Sequence, residues 1–287
     1  MELVKDTGLI VRMIAGKTEF LLDTYFNIGI CSIGRFANHV YPDLPGVKIN
    51  LKALKYVVID EADKMVLLDE FLPLYCKLKE KAIFTTMLFS ATNNSSVKDF
   101  IDAENHFAFY CGTPNTVATS VRQKFWHINS RSLSRVFGVF REATIVEPYE
   151  AGEKPHPFDA IYCMLCRDIK KMNWIYVLTL CGIPAVSVHS GQMPEDRQRF
   201  LQYFIRGEVQ VMVATNLLTR GTDIQVDYVI NYDLPVEYSE YIHRCGRTGR
   251  NQQKGVAITC IDFDNHDDYN PAVLQQIVLV LSSAASD

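Results

Sequence analysis

No apolar run in this 287-residue chain reaches the roughly 18 residues that would argue for a membrane span, so no crossing helix is expected. An excess of positive charge is missing too: 29 Lys and Arg stand against 33 Asp and Glu, for a formal net charge of −4. Any nucleic-acid partner must therefore be held locally, by a few placed arginines and backbone amides. The opening Met1-Glu-Leu-Val-Lys-Asp is neither a signal nor a transit peptide. Internal repeats and low-complexity tracts are absent. The eight cysteines are scattered, and the one Cys-x-x-Cys, Cys163-Met-Leu-Cys166, lies in an apolar run without a second pair. Zinc is accordingly not expected, and reduced core thiols are. A phosphate-binding loop is also lacking. Gly16-Lys17-Thr18 ends like G-x-x-x-x-G-K-[ST], but Val11 stands where the first glycine must let backbone amides wrap the phosphates. The apolar run Leu9 to Ile14 fills the place of the loop, so the segment reads as a strand and a turn.

What is present is ordinary globular material, 48% hydrophobic and 22% charged, enough for one large or two medium domains. Strands are expected at Leu9–Ile14, near Ile28, before Asp60, at Thr85–Phe89, at Phe107–Cys111 and at Val121–Ile128. Helices are expected after the turn that follows the Ile28 strand and through Val40, then from Ala62 to Asp69, Phe71 to Lys81, Val97 to Ala103 and Ser130 to Glu142. Gly112-Thr-Pro-Asn-Thr-Val-Ala-Thr-Ser120 is polar, small and broken by Pro114, and reads as a linker. After a charged, proline-rich stretch ending at Pro157, strands at Ala160–Cys163, Ala185–Val188, Val209–Ala214, Tyr228–Tyr232 and Gly255–Ile261 alternate with helices at Asp168–Cys181, Glu195–Ile205, Glu237–Gly246 and Pro271–Ser282. Repeated βα units predict an α/β fold with a parallel sheet covered on both faces.

Four stretches carry chemistry. Lys55-Tyr-Val-Val-Ile-Asp60-Glu61-Ala62-Asp63 runs a Val/Ile strand, expected to be buried on both faces, into three carboxylates. Ligands of open α/β sheets sit beyond such carboxyl ends, where Asp60 can hold Mg²⁺ on a nucleotide phosphate. The strand at Thr85 ends in Ser90-Ala91-Thr92. Thr215 to Asp223 places Arg220, Gly221 and Asp223 after another strand: a cation, a flexible backbone and a carboxylate at one sheet edge. His243-Arg244-Cys-Gly246-Arg247-Thr-Gly249-Arg250 packs three arginines and two glycines into eight residues, planar forks for phosphate on a tightly turning backbone.

The order D-E-A-D, S-A-T, H-x-G (His189 to Gly191), R-G-x-D, D-L-P (Asp233 to Pro235) and H-R-x-G-R-x-x-R resembles the DEAD-box ATP-dependent RNA helicases across nearly the whole chain. The phrase Val229-Ile-Asn-Tyr-Asp-Leu-Pro235 and the tail from Phe263 look closest to the Vasa-like branch. The resemblance implies two RecA-like parallel-sheet domains with ATP in the cleft between them: residues 1–112 as a partial ATP-binding domain, incomplete at its N-terminus, a linker at 113–120, and the helicase C-terminal domain at 121–287. It implies that Asp60 holds Mg²⁺ through water, that Glu61 polarises the attacking water, and that Asp63 contacts Ser90, Thr92 and His243. Asp223 would lie near the ribose of ATP, and Arg247 and Arg250 would be arginine fingers. Gly34, Arg35, Thr215, Arg220 and Gly221 match positions that grip the sugar–phosphate backbone of RNA with little sequence preference. The same likeness suggests a cytoplasmic protein, with the nucleus also open and ribonucleoprotein granules if Vasa-like, and no membrane partner.

The chain departs from the pattern as well. The family's Q motif and Walker A loop precede D-E-A-D, and this chain starts too late to hold them. Ser32 and Ile33 replace the Thr-Pro of T-P-G-R, Pro194 stands where glutamine is usual, and the strand Ile161–Leu165 lacks the usual polar end. Two functional classes follow. One is an RNA helicase coupling ATP hydrolysis to local unwinding or remodelling, though this chain has no Walker A loop. The other is a non-catalytic RNA-binding or interaction protein derived from one, with salt-sensitive RNA binding and no ATP dependence. A degraded or mis-predicted gene product that does neither is a third possibility.

Overall fold

The computed structural model describes residues 4–14, 25–41, 43–44, 48–128, 162–167, 174–180, 182–215, 224–251, 253–265 and 269–284. The chain divides into two compact units, Met1–Cys111 and Gly112–Asp287. No helix among the described residues is long and apolar enough to cross a membrane.

The first unit holds β1 (Val11–Ile14), β2 (Ile28–Cys31), α1 (Ile33–Val40), β3 (Tyr56–Ile59), α2 (Ala62–Met65), α3 (Phe71–Lys81), β4 (Thr85–Leu88) and α4 (Ser95–Ala103). Its strands form two separate parallel ladders, β1 with β2 and β3 with β4. In the second ladder Val57 faces Thr86 and Ile59 faces Leu88. One side of this ladder is packed: Val57 and Ile59 meet Phe71, Tyr75, Leu74 and Phe100 from α3 and α4. Period-2 alternation sends Tyr56 and Val58 the other way, and they are 59% and 60% exposed. The expectation that β3 is buried on both faces is therefore wrong. Among the described residues only one face of the ladder meets helices, and Met87, the register partner of Val58, lies 40% open on the other.

A second correction concerns Phe107–Cys111. Its aromatic, alternating pattern predicts a strand, but no ladder forms there, and Phe107 and Phe109 are fully exposed. A strand needs a neighbour for its backbone groups as well as propensity, and none of the described residues supplies one. The helix expected from Ala62 to Asp69 closes after Met65 and continues as turns.

The second unit is a six-stranded parallel sheet of β5 (Val121–His127), β6 (Tyr162–Cys166), β7 (Ala185–Val188), β8 (Val211–Thr215), β9 (Tyr228–Asn231) and β10 (Gly255–Ile261), in the order β5-β10-β9-β6-β8-β7. Its helices are α5 (Trp174–Leu180), α6 (Pro194–Ile205), α7 (Tyr238–Cys245) and α8 (Pro271–Ala284). Strands β6 and β8 are buried along their whole length. Cys163, Leu165, Met212, Ala214, Val229 and Ala257 join Phe204, Tyr241, Val273 and Ile277 from α6, α7 and α8 on one face. Tyr162, Met164, Cys166, Val213, Ile230 and Ile258 pack with Leu178 of α5 on the other. Continuous apolar strands are what a sheet covered on both sides requires. Pro194 opens α6 at its first turn, where a missing N–H costs nothing. The expected helix Ser130–Glu142 lies outside the described residues.

The same two faces dispose of a shared metal at the Cys-x-x-Cys, because Cys163 and Cys166 point into opposite cores. Burial pushes the Cys163 thiol up to about 12, with Arg247 and Arg244 pulling weakly the other way, so it stays protonated. The strand also runs further than expected. It ends at the buried Cys166, with Arg167 next in the chain.

Candidate functional site

Among the described residues, candidate groups gather at the ends of β3 and β4 in the first unit and at the end of α7 in the second. In the first unit the ladder between β3 and β4 continues past both strands: Phe89 N–H donates to the Ile59 carbonyl at 2.8 Å, and Ala62 N–H donates to the Phe89 carbonyl at 3.0 Å. This stitches the acidic turn to the Ser90-Ala91-Thr92 segment. Ala62 is completely buried among Ile59, Phe71 and Phe100, which explains a small residue between two carboxylates. Asp60 is exposed, and its Oδ1 accepts the Glu61 N–H at 2.9 Å. Glu61 itself sits in the left-handed region, with φ 51° and ψ 46°. A non-glycine residue there is strained, as residues of working sites often are. The twist aims Asp60 and Asp63 differently: Asp60 to solvent, Asp63 inward at 2% exposure.

Asp63 is held from β4's end. Thr92 Oγ1 donates to Asp63 Oδ2 at 2.6 Å, with Thr92 3% exposed. Ser90 shapes that loop by donating its hydroxyl to the Thr92 carbonyl at 2.7 Å and accepting the Thr92 N–H at 3.2 Å. Asn94 was not singled out by sequence. Its Nδ2 donates to the Asp63 carbonyl at 3.1 Å while its Oδ1 accepts the Val97 N–H at 2.9 Å, capping α4. An Asn just before a helical stretch is a cap signal, but nothing in the sequence says that its amide also reaches the acidic turn. Gly34 and Arg35 occupy the first turn of α1, Gly34 exposed and Arg35 half-buried.

In the second unit, α7 delivers the arginine-rich turn. His243, Arg244 and Arg247 are buried, and Arg250 is half-buried. The Nε–H of Arg250 donates to the Gly246 carbonyl at 2.7 Å, and that of Arg247 lies 3.4 Å from the His243 carbonyl. Both use orphan acceptors at a helix C-terminus, where cations are favoured. Neighbouring strands fix the backbone of the turn. Val226 N–H donates to the Arg247 carbonyl at 3.1 Å, Thr248 Oγ1 to the Asp227 carbonyl at 2.9 Å, and Ser120 Oγ to the Gly249 carbonyl at 2.7 Å. Gly249 has φ 69° and packs on Val121 so closely that a Cβ would overlap it.

Arg244 is wholly buried, and its Nη1 donates to the Asp233 carbonyl at 2.9 Å and to Asp233 Oδ1 at 3.2 Å. Asp233, equally buried, accepts the Arg167 N–H on both carboxylate oxygens, at 3.1 and 2.9 Å. Sequence reading placed Asp233 and Arg244 inside motifs without pairing them, since eleven residues of separation carry no contact signal by themselves. Gln192 is a further residue that sequence reading passed over: it accepts the His189 N–H at 3.1 Å and donates to Ser187, which shapes the His189–Gly191 turn. Thr215 is buried at the carboxyl end of β8. Arg220, Gly221 and Asp223 lie outside the described residues.

The sequence model of the DEAD/DEAH box helicase family matches residues 4–100, and that of the helicase conserved C-terminal domain matches residues 156–252. The chain belongs to the DEAD-box RNA helicase family. The DEAD-box ATP-dependent RNA helicase 35 of Arabidopsis thaliana is 33% identical over 219 residues, which are 75% of this chain and 35% of that protein. The probable ATP-dependent RNA helicase DDX4 of Pelophylax lessonae is 29% identical over 247 residues, 83% of this chain and 32% of that protein. The chain thus spans about a third of the length of the curated relatives it matches. Among solved structures, S. cerevisiae Dbp5 bound to RNA and ADP BeF3 superposes with a TM-score of 0.72 at 23% identity, covering 96% of this chain and 70% of that one. At that identity the likeness speaks for the fold, two RecA-like α/β units.

Proposed function

We propose that the chain carries the acidic and arginine-finger elements of an ATP-dependent RNA helicase, in which ATP hydrolysis is coupled to local remodelling of RNA. The observation that supports this most is the Asp63–Thr92 bond. It ties the last carboxylate of D-E-A-D to the hydroxyl of S-A-T through two buried groups 2.6 Å apart, an arrangement suited to passing a change at one strand end to the next. Asp60, an exposed carboxylate whose Oδ1 is oriented by one backbone N–H, suits a hard cation bound through water, and Mg²⁺ there would neutralise phosphate charge. Glu61 would orient the attacking water. Arg247 and Arg250, rooted on backbone carbonyls by their Nε–H groups, would stabilise charge on the transferring phosphoryl group. Asp223 would lie near the ribose. Gly34, Arg35, Thr215, Arg220 and Gly221 would grip the RNA backbone, and domain limits of 1–112, 113–120 and 121–287 fit this division of labour.

The second reading, a non-catalytic RNA-binding protein of helicase descent, rests on one feature. These 287 residues contain no G-x-x-x-x-G-K-[ST], since Val11 holds the position of its first glycine. One experiment separates the two. RNA-stimulated phosphate release is measured for the chain alone and for the chain joined to a segment carrying an intact phosphate loop. Turnover in the joined form that disappears with Glu61→Gln supports the helicase reading. Turnover indifferent to Glu61→Gln overturns it. Salt-sensitive RNA binding without turnover in either form supports the second reading.

A further inference from the structure

The geometry points to Arg244 as a positioning residue for the arginine turn, acting through its buried pair with Asp233. This rests on the proposed roles of Arg247 and Arg250. Helical side chains lean toward the helix N-terminus, so Arg244, one residue from the end of α7, reaches back along its own helix to the segment that follows β9. There its Nη1 takes both the carbonyl and the carboxylate of Asp233. The same carboxylate is fixed by the Arg167 N–H directly beyond β6. Strands β9 and β6 are neighbours in the sheet, so Arg244 joins the last turn of α7 to two adjacent strand ends at once. Three residues later, the chain turns out of the helix at Gly246 and presents Arg247.

Two features separate this pair from a generic core contact. Both partners are completely buried, so neither can exchange its counter-ion for solvent without moving backbone. Thr248, Ser120 and Val226 hold the turn by neutral hydrogen bonds, all near the opposite ends of the strands, where β5 and β9 begin, and Arg247 and Arg250 bond back to carbonyls of the turn itself. The Arg244–Asp233 pair therefore sets where the helix ends, and the neutral bonds set how the turn leaves it. A lysine at 244 keeps the charge, but its Nζ ends one bond short of where Nη1 meets the carbonyl and the carboxylate, so it cannot take both at these distances.

The test uses amide hydrogen exchange on the intact chain, with urea unfolding as a control. Arg244→Lys is expected to speed exchange at residues 246–250 by at least tenfold while amides of β8 and β10 keep their protection. The double variant Arg244→Met with Asp233→Asn removes both charges and leaves neither buried without its counter-ion, so it folds if the lysine variant does not; the same local loss is expected. In the form joined to a phosphate loop, Arg244→Lys should lower kcat by more than tenfold with KM for ATP changed less than threefold. Uniform loss of protection across the sheet in both variants overturns the inference in favour of a purely structural pair. Wild-type exchange at 246–250 in both variants overturns it outright. A joined form with no turnover counts against the helicase reading, and the exchange pattern then decides the positioning role on its own.

Discussion

Thr92 donates a hydrogen bond to a carboxylate that is almost wholly out of water, and hydrogen bonds to charged groups are the expensive ones to lose. Replacing Thr92 with valine keeps the shape and removes the hydroxyl. The expected cost is about 1.5–3 kcal/mol of unfolding free energy, read as a lower urea midpoint at constant slope. Thr92→Ser, which keeps the donor, should recover most of it. If valine and serine behave alike, the 2.6 Å contact is not holding Asp63. Asp233 and Arg244 show the same logic at higher stakes, since removing one partner of a buried pair strands the other; a cost of about 3–5 kcal/mol is typical. The motif order and the family resemblance singled out Asp60, Glu61, Asp63, Arg247 and Arg250 as site candidates. Neither could reveal Asn94 or Gln192. Their work is done by amides that look like ordinary loop residues until the loop is folded.

At the scale of elements, helices and inner strands were legible wherever the hydrophobic period matched a completed core. α3 occupies the predicted Phe71–Lys81, and β7 and β10 occupy the predicted ranges. Apart from the early close of α2, the misses are statements about neighbours. The Tyr56–Ile59 run has the composition of an inner strand, yet Val58 and Met87 form an open apolar pair on the outer face of the β3–β4 ladder. Phe107 to Tyr110 has the alternation of a strand but no ladder partner among the described residues. β6 is shifted toward Arg167 because the Asp233 carboxylate takes the Arg167 N–H and extends order past Cys166. An open apolar face beside a short edge strand invites association. Val58→Lys should therefore leave stability within about 0.5 kcal/mol, as for a surface change, while reducing concentration-dependent light scattering. A loss of about 2 kcal/mol or more instead would mean that the face is covered.

For the molecule as a whole, the charge balance limits how RNA can be held. With 29 basic against 33 acidic residues there is no overall excess of positive charge, and the proposed RNA contacts include only two arginines, Arg35 and Arg220. Each phosphate neutralised on a single strand contributes about 0.7 to the slope of log affinity against log salt. Two such contacts predict a slope near −1.4, far shallower than a basic-surface binder would give. Backbone amides at Gly34 and Gly221 would add affinity without adding to the slope, because they release no condensed counterions. Arg35→Ala should flatten the slope by about 0.7 and weaken binding equally across unrelated sequences, since phosphate contacts position without reading bases. A titration of single-stranded RNA between low and near-physiological salt measures both. A slope steeper than about −3 would locate the RNA on lysines and arginines that none of the DEAD-box motifs contains, and would remove Arg35 from the proposed grip.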